Sequence, residues 1–376
     1  MTDWRIFRGT REPHEFRGLP DPPPWRAFDG GPPLPHPERE DEPHAAVSYL
    51  ASEEAVEQVN TALYLRRPLL VTGPPGAGKS ALAEAVAHEL RLGPLLYWPI
   101  TSRVTLRDGL YRYDPLGRLY SASRAGGARE GSGGHAPEED IGDHIRLGPL
   151  GTALLPFEKP RVLLIDEIDK SDIDLPNDLL TVFERGSYEI PELMRVRASG
   201  PGASPKGAEG ARRRDQGTRG PGGNGRRSAE ADGPGSRSVP ASGVEVLTAD
   251  GATSATIRSG RVQCRAFPLV VMTSNGERAF PPAFLRRCVK LELRLPEEPG
   301  ELAAIVHQHL QDLPPHLHDQ IDALAEDFLA AHRGGGVLAT DQLLNAAYMR
   351  WHTVGDPSMP REALARKLMR PLNGQD

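Results

Sequence analysis

Gly73-Pro74-Pro75-Gly76-Ala77-Gly78-Lys79-Ser80 is the stretch whose reading decides the fold. It is a glycine, four residues, then Gly-Lys-Ser, a pattern in which backbone N–H groups turn inward around phosphate oxygens. The flanks give the motif its context. Leu69-Leu70-Val71-Thr72 reads as a short buried strand, and Ala81 to Arg91 as a helix with Leu82, Val86 and Leu90 on one face. Gly93-Pro94 stops that helix. A phosphate on this loop meets the positive end of the helix dipole. Lys79 is then expected on the β and γ phosphates of ATP, and the Ser80 hydroxyl on Mg²⁺. An ordinary glycine-rich turn is the competing reading, and strand, loop and helix in this order count against it.

Composition sets the outer bounds. With 376 residues the chain has room for two domains, or for one with a lid and insertions. A formal charge of −6 supplies no global basic field for nucleic acid. Two cysteines, Cys264 and Cys288, offer neither a disulfide framework nor a metal quartet. Neither a signal-peptide pattern nor a membrane-length apolar run is evident, so a soluble cytoplasmic protein without membrane contact is expected. The 40 glycines and 37 prolines point to unstructured segments beside a folded core.

Residues 1–44 read as a proline-rich N-terminal arm. Trp4, Phe7, Phe16, Trp25 and Phe28 suggest that it docks on a folded surface. Ser52 caps a helix carrying Val56, Val59 and Leu63 on one side. Leu95 to Ile100 reads as a strand, residues 121–140 as a flexible glycine-rich loop, and 198–242 as a low-complexity disordered insertion. The insertion carries Arg212-Arg213-Arg214 and Arg226-Arg227 but lacks aromatics for base stacking, which makes nucleic acid an unfavoured partner. A hairpin over Val244 to Leu247 and Thr256 to Arg258 follows.

Two further strands carry chemistry at their tips. Val162-Leu163-Leu164-Ile165 runs into Asp166-Glu167, two carboxylates delivered by a buried strand. Asp166 is expected to hold Mg²⁺ through water, and Glu167 to polarise the water that attacks the γ-phosphate. Asp169 to Asp172 are expected to be turn and cap residues. Leu269 to Thr273 ends in Ser274-Asn275, which places an amide beside the carboxylates. Pro281-Pro282-Ala283-Phe284-Leu285-Arg286-Arg287 is a proline-started helix leading to the strand Val289 to Leu293.

Phosphate loop, Val-Leu-Leu-Ile-Asp-Glu-Ile-Asp strand, Thr-Ser-Asn tip and Phe-Leu-Arg-Arg element stand in the order of the AAA+ ATPases, and the chain resembles their MoxR-type, dynein-related branch over about residues 45–370. The resemblance implies an α/β P-loop NTPase fold: a three-layer αβα parallel sheet over 45–295, then a C-terminal all-α helical lid over 296–376. It also implies a homo-oligomeric ring, usually a hexamer, with Gly73 to Ser80 and Asp166 binding ATP and Mg²⁺. Asn275 matches the sensor-1 position. Arg287 matches best the arginine finger that completes a neighbour's site, with Arg286 second.

From Pro296 on, the pattern is helical, with Leu302, Ile305 and Val306, then Ile321, Leu324, Ala325 and Phe328, then Leu344, Ala347, Tyr348 and Trp351 marking faces. No arginine occurs over 334–341, where such lids often place one to reach the γ-phosphate. His307 and His309, and His316 and His318, are spaced two apart and do not share a helical face, which disfavours a metal site. Three functions follow. The favoured one is a ring ATPase that remodels partner proteins, in that branch often with proteins bearing von Willebrand factor A domains. The others are a nucleotide-dependent switch in a defence or signalling complex, and a nucleic-acid translocase.

Overall fold

Alternation along the apolar strands divides the core between two faces of one sheet. Leu69 and Val71, Val162 and Leu164, and Leu269 and Val271 enter one apolar cluster; Leu70, Leu163, Ile165, Val270 and Met272 enter another. Successive strand residues point to opposite faces, so runs without polar residues require a sheet covered on both sides. The computed structural model describes residues 4–15, 18–39, 43–128, 141–198, 243–251, 254–310, 314, 317–334, 338–352 and 368–369.

The described elements run α1 (His44–Ser48), α2 (Glu53–Leu65), β1 (Leu69–Thr72), α3 (Lys79–Glu89), β2 (Leu96–Pro99), α4 (Leu106–Leu110), β3 (Tyr111–Tyr113), α5 (Pro115–Ala128), β4 (Ile145–Leu147), α6 (Pro149–Ala153), β5 (Val162–Asp166) and α7 (Leu175–Arg185). They continue with β6 (Ser187–Glu189), α8 (Pro191–Ala198), β7 (Val244–Leu247), β8 (Ser254–Ile257), β9 (Arg261–Gln263), β10 (Leu269–Ser274), α9 (Pro282–Leu285), β11 (Val289–Glu292), α10 (Pro299–His309), α11 (His318–Arg333) and α12 (Thr340–His352). The main sheet is parallel, in the order β11-β1-β10-β5-β2. Helices α2 and α3 cover one face, and α6 and α7 the other. This is the three-layer αβα arrangement. A smaller sheet, β3-β4-β7-β8, contains the expected hairpin. Helices α10 to α12 form the all-α lid around their own apolar cluster.

The arm is docked. Phe7 is fully buried, and the Asn60 side chain of α2 accepts from the Ile6 and Phe7 N–H groups and donates to Phe7 O. The Glu89 carboxylate accepts from the N–H groups of Arg8 (2.6 Å), Thr10 (2.8 Å) and Arg11 (3.2 Å). Farther on, Arg26 donates to Phe183 O at the end of α7, Phe28 stacks on Phe267, and Leu34 bridges to Phe157. Phe16 lies outside the described residues, and Trp25 stays exposed.

Two expectations are corrected. Residues 121–128, read as the start of a flexible loop, continue α5, because Asp114 accepts from the Gly117 N–H and Pro115 begins the helix. Residues 129–140 lie outside the described residues, as does nearly all of the 198–242 insertion. On α12 the buried face is Leu343, Ala346 and Ala347, while Leu344 and Trp351 pack partly and Tyr348 is about half exposed. Leu343-Leu344 and Ala346-Ala347 fit either of two adjacent registers, which the sequence pattern alone does not separate.

Candidate active site

The tips of β1, β5 and β10 lie side by side at the carboxyl edge of the main sheet, where open α/β folds bind ligands. The loop after β1 turns directly into α3. Gly78, at φ +79°, caps that helix, with the Tyr49 ring only 2.9 Å from where a Cβ would stand. The lid reaches the same loop, since a Cβ on Gly76 would lie 2.4 Å from the Thr340 backbone nitrogen.

Lys79 is largely buried, and its Nζ donates to Gly73 O (2.9 Å), Pro74 O (2.8 Å) and Asn275 Oδ1 (2.7 Å). Burial lowers its pKa, opposed by the charges of Asp166, Asp169 and Glu167. Ser80 Oγ donates to Asp166 Oδ1 at 2.8 Å, so the hydroxyl and carboxylate expected to hold Mg²⁺ converge. These are hard oxygen donors, the ligand class that Mg²⁺ takes, and the site fits that ion.

Glu167 adopts a left-handed backbone, φ +61° and ψ +47°, unusual for a non-glycine residue. Its N–H donates to Thr273 Oγ1 (2.8 Å), and its carboxylate pairs with Lys170 (2.8 Å). Beside it an open cleft of about 580 Å³ lies between Thr101 and Ser102 after β2 and Glu277 after β10.

The structure thus brings together Lys79, Ser80, Asp166 and Asn275, with Glu167 adjacent. It does not bring Arg286 or Arg287 into this cluster. Arg287 pairs with Glu184 and donates to Ala283 O, while Arg286 is exposed and its carbonyl accepts from Arg67. In the lid, Arg333 donates to Glu297 O and Arg350 to Gln320 O, so neither serves the phosphate loop through these bonds.

Three residues went unrecognised in the sequence. Asp169, expected to be turn chemistry, accepts from the N–H groups of Asn275 (3.0 Å) and Glu277 (3.1 Å), tying the β5 tip to the β10 tip. Thr273 bonds both to Glu167 and to Asp166, and Tyr97 reaches Asp166 from β2. The histidines pair with partners other than their sequence neighbours: His309 meets His44 at 3.2 Å, and His307 packs on His318. Among the described residues no group of three or more metal-ligating side chains forms, and His316 is not among them.

Residues 68–202 match the family model described as AAA domain (dynein-related subfamily). Over that stretch, about a third of the chain, the sequence is similar to AAA domains. The matched span takes in the phosphate loop and Asp166-Glu167 but ends before β10, so Asn275 stands on geometry, and Arg286 and Arg287 on their place in the sequence alone. Similar solved structures include NtrX from Brucella abortus in complex with ADP, at 12% identity over 83% of this chain and 52% of that one, TM-score 0.36. The FIGL-1 AAA domain in complex with ADP aligns at 13% identity over 93% and 89%, TM-score 0.36. A point variant of RuvB from Thermotoga maritima aligns at 14% over 87% and 72%, TM-score 0.38. The chain spans about half the length of NtrX, and likenesses this distant bear on neither substrate nor partner. A comparison with curated proteins found no match. No described helix is long and apolar enough to cross a membrane.

Proposed function

We propose that this chain is a Mg²⁺-dependent ATPase of the MoxR type, working as a ring, usually hexameric in that branch, to remodel partner proteins, with a von Willebrand factor A domain protein as one candidate partner. The observation that carries the reading is the convergence of Lys79, Ser80, Asp166 and Asn275, with Glu167 adjacent, at three neighbouring strand tips. The division into an arm over 1–44, a nucleotide unit over 45–295 and a lid from 296 is part of this proposal, as is cytoplasmic residence.

In the reaction, backbone N–H groups of Gly73 to Ser80 and the Lys79 ammonium hold the phosphates. Ser80 and Asp166 would hold Mg²⁺, which neutralises charge on the β and γ oxygens when bound. Asn275 orients the attacking water and Glu167 takes its proton. The water oxygen bonds to the γ phosphorus as the bond to the β-bridging oxygen breaks, and ADP departs. Glu167 must exchange Lys170 for that water, and Arg287, or Arg286 beside it, must exchange its contacts for the next subunit's γ-phosphate. Such fingers contribute ~10³- to 10⁵-fold in turnover.

Subunit mixing tests this. Glu167→Gln and Arg287→Ala should each be inactive alone, and their mixture should recover activity where an intact Glu167 faces an intact Arg287. If the mixture stays inactive and Arg286→Ala behaves no differently, the ring reading fails. The Glu167–Lys170 pair favours one second reading, a nucleotide switch that binds ATP and turns over negligibly. Assembled rings that hold ATP intact for hours would favour it.

A further inference from the structure

Asp166 is held from three directions. Its Oδ1 accepts from Ser80 Oγ (2.8 Å) and Thr273 Oγ1 (2.6 Å), and its Oδ2 from the Tyr97 hydroxyl (3.2 Å). Thr273 and Tyr97 stand on β10 and β2, the strands on either side of β5. Thr273 is almost wholly buried, and its single proton is committed to Asp166, so the same oxygen is left to accept the Glu167 N–H at 2.8 Å. One hydroxyl therefore joins the side chain of Asp166 to the backbone of Glu167, at the residue that adopts the left-handed conformation.

We propose that Thr273 and Tyr97 are positioning residues for the two carboxylates: both fix the Asp166 carboxylate for the cation, and Thr273 alone also sets the backbone from which Glu167 addresses the water. The proposal rests on the reading of Asp166 and Glu167 given above. A carboxylate that binds a cation works from one rotamer, and outer hydrogen-bond partners select it; losing such partners typically weakens metal binding ~10- to 100-fold. The two residues differ in a way that can be measured. Tyr97 is about half exposed and its hydroxyl bonds to Asp166, whereas Thr273 is buried and its hydroxyl bonds to both Asp166 and the Glu167 N–H.

The experiment titrates MgCl₂ into full-length protein with a fluorescent ATP analogue and follows binding, not turnover. Thr273→Val keeps the shape and removes the hydroxyl; Thr273→Ser keeps the hydroxyl and removes the methyl; Tyr97→Phe removes only the phenol oxygen. The Mg²⁺ midpoint should rise ~10-fold or more in Thr273→Val and a few-fold in Tyr97→Phe, and stay within about twofold in Thr273→Ser. Single-turnover hydrolysis at saturating Mg²⁺ should fall in Thr273→Val and recover in Tyr97→Phe. An unchanged Mg²⁺ midpoint in Tyr97→Phe, or a Thr273→Ser protein as impaired as Thr273→Val, overturns the proposal. Tyr97→Phe lies at a half-exposed position on an edge strand, so the test stands even if Thr273→Val does not fold. If the wild-type protein binds the analogue without regard to Mg²⁺, the parent reading fails and not this refinement alone.

Discussion

Replacing Glu89 with glutamine should release the N-terminal arm while leaving the sheet folded. In the native chain the Glu89 side chain is about 1% exposed, with Oε1 accepting from Arg8 N and Oε2 from Thr10 N and Arg11 N. A glutamine can keep its oxygen toward Thr10 and Arg11, but its NH₂ then faces the Arg8 N–H, donor against donor. Hydrogen bonds to a charged acceptor contribute about 1.5–3 kcal/mol each and neutral ones about 1. Losing one such bond and weakening two amounts to roughly 3 kcal/mol or more against the docked arm. At about 1.4 kcal/mol per tenfold, arm opening should increase ~100-fold. The assay is limited trypsin digestion, following cleavage after Arg8 and Arg11 beside thermal unfolding of the core. Because the arm opens locally, the core transition should move by only a few degrees while arm cleavage accelerates ~100-fold. Cleavage within about threefold of wild type would show that Glu89 does not hold the arm.

Asp169→Ala should lower kcat at least ~10-fold with ATP affinity within about threefold, measured by steady-state kinetics and equilibrium binding, since it leaves the Asn275 and Glu277 amides without their acceptor. Gly76→Ala should weaken nucleotide binding and lower the melting temperature, because the new Cβ meets the Thr340 nitrogen and φ is +78°. Stability should also fall in acid through His36, whose pKa burial depresses from 6.5 to about 4, with Arg161 and Lys159 adding to the shift. The unfolded chain binds the proton first, so this contribution is complete above about pH 6.5 and declines as pH falls toward about 4, by at most about 3 kcal/mol. In urea melts across that range, His36→Phe should flatten the acid limb.

The candidate site was legible because its residues follow strand tips in sequence. Leu69 to Ser80 and Val162 to Glu167 announce strand, turn and charge together. The supporting partners were not legible, because each depends on which strands lie side by side. Thr273 is one more polar residue at the end of an apolar run until β10 pairs with β5, and Tyr97 is an ordinary aromatic until β2 takes the far side. Asp169 looks like a cap residue because its partners are backbone amides more than a hundred positions away. The C-terminal half of α5 was missed for a local reason: composition highlighted its glycines, while the helix signal lay upstream at Asp114-Pro115. The arm fell between the two cases, since its aromatics showed that it docks but not that buried Glu89 and Asn60 receive it.

The most direct test of the central claim is single-turnover hydrolysis of ATP by Glu167→Gln beside wild type and Lys79→Ala, with nucleotide binding measured on the same samples. One triphosphate surrounded by Lys79, Asp166, Glu167 and Asn275 predicts that Glu167→Gln binds ATP as wild type does but hydrolyses it at least ~100-fold more slowly, while Lys79→Ala loses binding. Unimpaired hydrolysis by Glu167→Gln, or full-affinity binding by Lys79→Ala, would contradict the account.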